Sequence, residues 1–153
     1  MKTIFWGISA LLLFAIIIGW NTYKSYKPTP PELEMTVDSQ KVEVKATTYS
    51  LRKWGRATAA DSNTDPAVFV REFPPIMVNR NDSINMQFEH SPISVTCYLW
   101  DMNTGGLAYK SLDGLPLNLA QAKVSSGDYA MEIRAKWEVG YALYNIRIQV
   151  NED

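Results

Sequence analysis

The fold is decided by residues 125–150, which read SSGDYAMEIRAKW, then EVG, then YALYNIRIQV. In the first segment every second position is apolar: Tyr129, Met131, Ile133, Ala135 and Trp137. The last segment repeats the pattern with Ala142, Tyr144, Ile146, Ile148 and Val150. Such alternation is typical of a strand with one buried and one wet face. Because only residues 138–140 separate the two segments, they predict an antiparallel hairpin.

Shorter segments of the same character precede the hairpin and are separated by turn residues. Strands are predicted at residues 35–37, 41–51, 68–73, 76–79, 83–89, 93–101 and 115–119, and residues 55–66 read as a polar loop. No amphipathic helix longer than about two turns follows residue 30. Many short strands with regular turns predict an all-β fold, which we interpret as an antiparallel β-sandwich of about eight strands.

The amino-terminal segment differs in character, because residues 3–23 carry no charge. Twenty-one helical residues rise about 31 Å, close to the thickness of a bilayer's hydrocarbon core. Aromatic residues, which favour the membrane interface, lie near both ends: Trp6, Trp20, Tyr23 and Tyr26. Residues 1–23 therefore predict a transmembrane helix that serves as a signal anchor.

A cleaved signal peptide is the alternative, and it would leave a secreted protein. Cleavage requires small residues at alternate positions, but Ile17 lies two places before Gly19. We therefore favour an uncleaved, single-pass cell-membrane protein whose carboxy-terminal domain, residues 34–153, is extracytoplasmic. The lone Cys97 permits no internal disulfide, which in a single-span protein is more typical of bacteria.

Residues 24–33 form a Pro-rich linker between the anchor and the domain. Pro28, Pro30 and Pro31 favour an extended stalk of about 3 Å per residue, long enough to clear the lipid headgroups. Beyond residue 28 the chain has 12 basic and 16 acidic residues, a net charge of −4 (12 − 16). A mildly acidic domain argues against nucleic acid as a partner.

The stretch Gly127-Asp128-Tyr129 resembles the tyrosine corner of immunoglobulin-like sandwiches, in which a Tyr at the start of strand F bonds to nearby backbone. The resemblance implies that residues 83–89, 93–101 and 115–119 are strands B, C and E, and that the hairpin is F and G. Met131 stands where antibody domains have their second Cys, and Trp100 is out of phase with the inward residues of strand C. The whole chain resembles small membrane-anchored extracytoplasmic proteins of Gram-positive bacteria, without matching a characterised family.

Strands C, F and G are neighbours in such a sheet, so their outward residues would share one face. These residues are Tyr98, Trp100, Arg134, Lys136, Tyr141 and Leu143. Exposed aromatic residues ringed by Arg and Lys are typical of a protein-binding patch, and they can also stack on sugars. The competing interpretation is that the 55–66 loop or the membrane-proximal segment covers this face and makes it core.

Other candidate sites are weaker. Residues 61–65 (DSNTD) resemble a calcium loop, but its sixth position needs Gly and is Pro66, so a solvated turn is the better interpretation. His90 is the only histidine, and Cys97 alternates with buried residues as an inert core thiol. We predict no catalytic site, no metal and no cofactor, although chance pairs of carboxylates leave a hydrolase open.

These observations lead to a functional hypothesis. The chain is expected to be a non-enzymatic, membrane-tethered, extracytoplasmic binding or accessory module for another cell-envelope protein. The alternatives are cell-wall glycan binding, protease inhibition through an inserted loop, and a carboxylate-based hydrolase. The expected partners are the membrane and one envelope protein.

Overall fold

The computed structural model describes residues 2–62 and 64–152, with side chains from residue 11 onward. Two helices and eleven strands make up this part of the chain. Their bounds are α1 (Lys2–Ser25), β1 (Leu33–Val37), β2 (Gln40–Val44), β3 (Ala46–Lys53), β4 (Arg56–Ala60), α2 (Pro66–Phe69), β5 (Ile76–Asn79), β6 (Ser83–Phe88), β7 (Ser94–Asp101), β8 (Leu107–Leu112), β9 (Leu117–Asn118), β10 (Gly127–Trp137) and β11 (Gly140–Asn151).

The strands form two sheets around one core. The first sheet has the order β2-β1-β6-β9, and the second has the order β4-β3-β11-β10-β7-β8, with β5 added in parallel to the end of β11. Every other pairing between these strands is antiparallel. Residues from both sheets, such as Met35, Ile84, Ile133 and Ile148, are completely buried in the same cluster. The predicted all-β architecture is confirmed, with more strands than expected.

The predicted hairpin lies at the centre of the second sheet as β10 and β11. Its register runs from Gly127 opposite Val150 to Trp137 opposite Gly140. The alternating apolar residues of both strands all face the core and are at most 9% exposed. Gly140 is required at the turn, because its φ is +141° and an added Cβ would lie 2.0 Å from the Ser50 carbonyl oxygen.

The tyrosine corner expected at the start of β10 is present as a hydrogen bond. Tyr129 Oη donates to the Ser125 carbonyl oxygen at 3.2 Å, and the ring covers Gly127, where a Cβ would lie 2.8 Å from Tyr129 Oη. Tyr109 packs edge-on against this ring, with centroids 5.8 Å apart. Burial raises the pKa of Tyr129 to about 12. The corner fixes the entry of the chain into its central strand.

Two predictions between residues 55 and 73 are wrong. The strand expected at 68–73 is instead the short helix α2, which begins at Pro66; a proline in the first turn loses no helical hydrogen bond. Because one turn of helix aims its side chains in several directions, Ala67 and Val70 are buried while Val68 is 56% exposed. The loop expected at 55–66 contains β4, which pairs with β3 through a tight turn.

Two further predicted strands differ in their bounds, and one observed strand was not predicted. The single strand expected at 41–51 is divided at Lys45, where the chain passes from β2 in the first sheet to β3 in the second. The strand expected at 115–119 is reduced to β9, and β8 was missed between two turn signals. These differences arise because strand pairing, which is not local, decides where each segment ends.

The Pro-rich linker is packed against the sandwich, whereas the sequence led us to expect an extended stalk. Pro28 and Pro31 are buried. Tyr144 Oη, which lies inside the core, donates a 2.6 Å hydrogen bond to the Pro31 carbonyl oxygen. The end of α1 is therefore held close to the domain.

Helix α1 spans almost the whole of the predicted membrane anchor, residues 1–23. Met1 and the side chains of residues 2–10 lie outside the described part of the chain. Among the residues that are described, no helix is both long and apolar enough to cross a bilayer, and the predicted transmembrane helix is not supported. The large apolar side chains from Leu11 to Ile18 are between 50% and 71% exposed.

Candidate functional site

The outer face of the second sheet carries the predicted binding residues, and strand register brings most of them together. Lys136 lies opposite Tyr141 and Ser94, and Arg134 lies opposite Leu143 and Thr96. A depression of about 390 Å³ forms here, which we call the open depression. It is lined by Tyr98, Arg134, Lys136, Tyr141 and Leu143, five of the six predicted residues, with Ser94 and Thr96.

Arg134 is held in place from two sides. Its guanidinium carbon lies 4.0 Å from the centroid of the Tyr98 ring, and its Nε donates to Glu132 Oε1 at 2.5 Å. The Glu132 side chain is only 8% exposed, whereas that of Arg134 is 46% exposed. The stacking and the hydrogen bond to a buried carboxylate restrict the orientation of the guanidinium, which nevertheless remains accessible to solvent.

The opposite wall of the open depression is formed by Lys136 and Tyr141. Both are exposed, with Tyr141 at 45%. No salt bridge to Lys136 occurs within the described residues. The depression therefore offers one ammonium group, one oriented guanidinium and one exposed aromatic ring to a ligand.

Trp100, the sixth predicted residue, lies apart from the depression. It packs against a small second core made of Ala67, Val70, Met102 and Ala130, beneath α2. Its indole Nε1 is buried and finds no hydrogen-bond partner in the part of the chain that the structure describes. Trp100 is therefore partly covered by α2, whereas the sequence led us to consider the 55–66 loop or the membrane-proximal segment as the cover.

Between these two regions the outer face carries a polar depression of about 250 Å³, lined by Thr48, Asp61, Ser62, Thr64, Asp65, Glu132, Leu143 and Asn145. Ser62 approaches the sheet here, because its backbone N–H donates to Thr48 Oγ1 at 3.2 Å. Asn145 is buried, its Nδ2 donates to Thr47 Oγ1 at 2.7 Å, and its Oδ1 has no hydrogen-bond partner among the described residues. The described residues contain no group of three or more His, Cys, Asp or Glu that could hold a metal ion.

Sequence reasoning did not single out Glu132 and Asn145. Both occupy wet-face positions of their strands, and the alternation therefore predicts that they are exposed. They are only 6% and 8% exposed. Local sequence cannot predict that a polar residue on the solvent-facing side of a strand is buried, because the segment that covers it is distant in the chain.

A larger groove, of about 950 Å³, opens at the edge of the sandwich. It lies where β11 changes partner, since β3 ends its pairing opposite Tyr144 and β5 begins opposite Ile148. Its walls are mainly apolar and include Val42, Phe73, Ile76, Met77 and Ile146. These residues come from three distant segments of the chain, so no local pattern could have predicted the groove.

Cys97 behaves as the core thiol that the alternation predicts. It is 1% exposed, and burial, assisted by the charge of Asp113, raises its pKa to about 12. A thiol that stays protonated at neutral pH is a poor nucleophile. His90 contributes its carbonyl oxygen, which accepts a 2.9 Å hydrogen bond from Trp137 Nε1.

Comparisons with known proteins found no matching family model, no matching curated protein and no matching solved structure. The functional argument therefore depends on the residues of this chain.

Proposed function

We propose that this chain is a non-enzymatic accessory module of the cell envelope. An amino-terminal anchor would tether it to the membrane, and its immunoglobulin-like sandwich would bind another envelope protein outside the cytoplasm. The open depression carries the proposal, because it groups Tyr98, Arg134, Lys136 and Tyr141 on one exposed face. Aromatic and Arg side chains are the residues that contribute most to protein–protein binding.

The chemistry of the open depression favours an acidic side chain beside an apolar one on the partner. Arg134 is already oriented by Tyr98 and Glu132, so binding orders few additional rotamers. Lys136 supplies a second positive charge, and Tyr141 supplies an exposed ring against which an apolar group can pack. This combination of charge and apolar surface makes a protein segment the preferred ligand.

Strand neighbours support the immunoglobulin-like part of the proposal. β6 pairs with β9, as strands B and E do in such sandwiches, and β10 lies between β7 and β11, as F lies between C and G. The Tyr129–Ser125 hydrogen bond is a further shared feature. Fold alone does not assign an activity, so the binding residues carry the functional argument.

The tether rests on the sequence, because residues 3–23 are uncharged and are followed by Lys24 and Lys27. Washing membranes with alkaline carbonate tests it. We expect the full-length chain to stay in the membrane pellet, with the carboxy-terminal domain accessible to external protease. Release by carbonate, or a mature chain that begins after the apolar segment, would contradict the tether.

Binding is tested by brief cross-linking of the tagged full-length chain, followed by affinity capture and mass spectrometry. The double variant Lys136→Ala/Tyr141→Ala should reduce recovery of the partner about tenfold, because two contacts of roughly 0.7 kcal/mol each are lost. The matched control is Leu107→Ala/Lys110→Ala, which removes an exposed apolar residue and a Lys from β8 at the sheet edge. Equal recovery with both variants would contradict the proposed binding site.

One observation favours a second candidate, a carboxylate-based hydrolase. Asp61, Asp65 and Glu132 line the same polar depression, as a pair of catalytic carboxylates would. Assaying cell-wall glycans and peptides with the purified chain and with Asp65→Asn separates the two functions. If product forms with the wild type but not with Asp65→Asn, the protein is an enzyme and the binding-module proposal is wrong.

A further inference from the structure

The end of α1 is fastened to the tight turn between β3 and β4. Tyr23 Oη donates to the Trp54 carbonyl oxygen at 3.0 Å, and the rings of Tyr26 and Trp54 lie 4.9 Å apart. Arg56 donates from its guanidinium to the Lys24 carbonyl oxygen and also lies over the Tyr23 ring. Residues 20–27 and 52–56 thus form one surface, which we call the collar.

The collar is strongly positive although the domain as a whole is acidic. Its cations are Lys24, Lys27, Arg52, Lys53 and Arg56, and neither residues 20–27 nor residues 46–60 include an acidic residue. Lys53 Nζ lies 5.0 Å from the centroid of the Trp54 ring, and Lys24 Nζ lies 5.7 Å from that of Trp20. The cations are therefore interleaved with aromatic rings.

Trp54 is the tip of the collar and is 66% exposed. Both residues of the turn have positive φ, +52° at Trp54 and +72° at Gly55. Asn or Gly is favoured at the first position of such a turn, because a bulky side chain is strained there. A Trp at this position directs a large ring outward at a cost in backbone energy, which indicates a role for the ring.

The collar continues directly into the exposed apolar surface of α1. The large side chains from Leu11 to Ile18 are at least 50% exposed, Trp20 is 62% exposed and Tyr23 is 42% exposed. Along the molecule the order is therefore apolar side chains, aromatic rings, then cations. A bilayer has the same order from its hydrocarbon core through its interface to its anionic headgroups.

We propose that the collar binds anionic lipid headgroups, with the Trp54 ring inserted at the interface. This inference rests on the tether in the proposed function and adds a second membrane contact. Because the linker is packed against the sandwich, the two contacts together would hold the domain at the membrane surface in one orientation.

The test uses the full-length chain in lipid nanodiscs made of phosphatidylcholine alone or mixed with phosphatidylglycerol. Lipids brominated near the headgroup quench Trp fluorescence at the interface, and the difference between the wild type and Trp54→Phe isolates Trp54. We expect the Trp54 signal to be quenched several-fold more in the anionic discs and to recover at high salt.

Charge variants decide whether the collar is responsible. Lys53→Gln/Arg56→Gln should reduce Trp54 quenching in anionic discs to the level in phosphatidylcholine. The control Lys41→Gln/Lys110→Gln removes the same charge from two exposed positions outside the collar and should leave quenching unchanged. Inorganic phosphate at matched ionic strength should not displace the ring; displacement would indicate a phosphate site and overturn the lipid proposal.

The failure of this inference can be distinguished from failure of the tether. One outcome is that the chain enters the discs while the quenching of Trp54 is the same with and without anionic lipid and in the collar variants. In that case the collar does not bind headgroups, and the proposed membrane tether is unaffected. If the chain enters neither kind of disc, the tether of the proposed function fails and this inference fails with it.

Discussion

The two ends of the outer face of the second sheet are built from the same strands, yet one is covered and the other is open. At one end Ala130 and Trp100 lie opposite each other and are covered by α2. Only four residues further along β10, Arg134 lies over Tyr98 at the open depression. The small side chain of Ala130 lets a helix approach, whereas Arg134 and Lys136 keep their polar atoms in water. Side-chain size and charge at a few positions thus separate the covered end from the exposed end of this face.

The cover itself is fastened by a charged clamp on the same face. Arg147 donates to both carboxylate oxygens of Asp128, from Nε at 3.0 Å and from Nη2 at 2.6 Å, and the bond to Asp128 raises the pKa of Arg147. Its Nη1 donates to the carbonyl oxygen of Arg71 at 3.0 Å, just beyond α2. The covered end therefore combines apolar packing with a clamp, and the open depression lacks a comparable cover among the described residues.

A charge placed beneath α2 should cause the largest loss of stability at the covered end. Ala130 is completely buried, so Ala130→Asp puts an unpaired carboxylate into the second core and should lower the free energy of unfolding by about 3 kcal/mol or more. Thr96→Asp makes the same kind of change opposite Arg134 and should cost less than about 1 kcal/mol. Urea unfolding measures both; equal losses would mean that the two ends do not differ as described.

Removing an aromatic ring from each end gives a smaller contrast. Trp100→Ala should lower the free energy of unfolding by about 2 kcal/mol, because its ring packs in the second core. Tyr141→Ala should cost about 0.5 kcal/mol, since that side chain is 45% exposed, but it should weaken partner binding. Chemical denaturation combined with the capture assay checks both predictions. If the Trp100→Ala variant stays folded but no longer captures the partner, Trp100 belongs to the binding site after all.

Alkaline pH gives the smallest expected effect and tests the tyrosine corner beside the covered end. Tyr129 has a pKa of about 12 in the fold because of burial, against about 10 in an unfolded chain. Below pH 10 its contribution is complete; as pH rises toward 12 the unfolded state loses its proton first, so stability falls. Tyr129→Phe should make this decline shallower in urea unfolding between about pH 10 and 12. An equally steep decline in the variant would contradict the assignment.

Local patterns predicted the parts of the site that depend on alternation. The period of two in β7, β10 and β11 places Tyr98, Arg134 and Tyr141 on one outer face, and the structure brings them around one depression. The same pattern correctly predicts the burial of Met131 and of Cys97. Successive side chains of an extended chain point to opposite faces because of the backbone geometry. The two faces of a strand can therefore be predicted before its partner strands are known.

Covering layers could not be predicted in this way. Trp100 and Tyr98 have the same alternation and differ only in whether α2 lies above them. Residues 68–73 are predicted as a strand, yet Pro66 and the burial of Ala67 and Val70 in the second core favour a turn of helix. The intrinsic helix or strand propensity of a residue predicts its structure only weakly, because tertiary packing can override it.

The local sequence pattern predicts the all-β class, the central hairpin with its two faces and the Tyr129–Ser125 hydrogen bond, because each depends on residues close together in the chain. Tertiary packing is what covers Trp100, buries Glu132 and Asn145, holds the linker against the sandwich and brings the ring of Trp54 next to that of Tyr26. These features join segments separated by tens of residues, and their stability comes from surface removed from water between such segments, which no local pattern records.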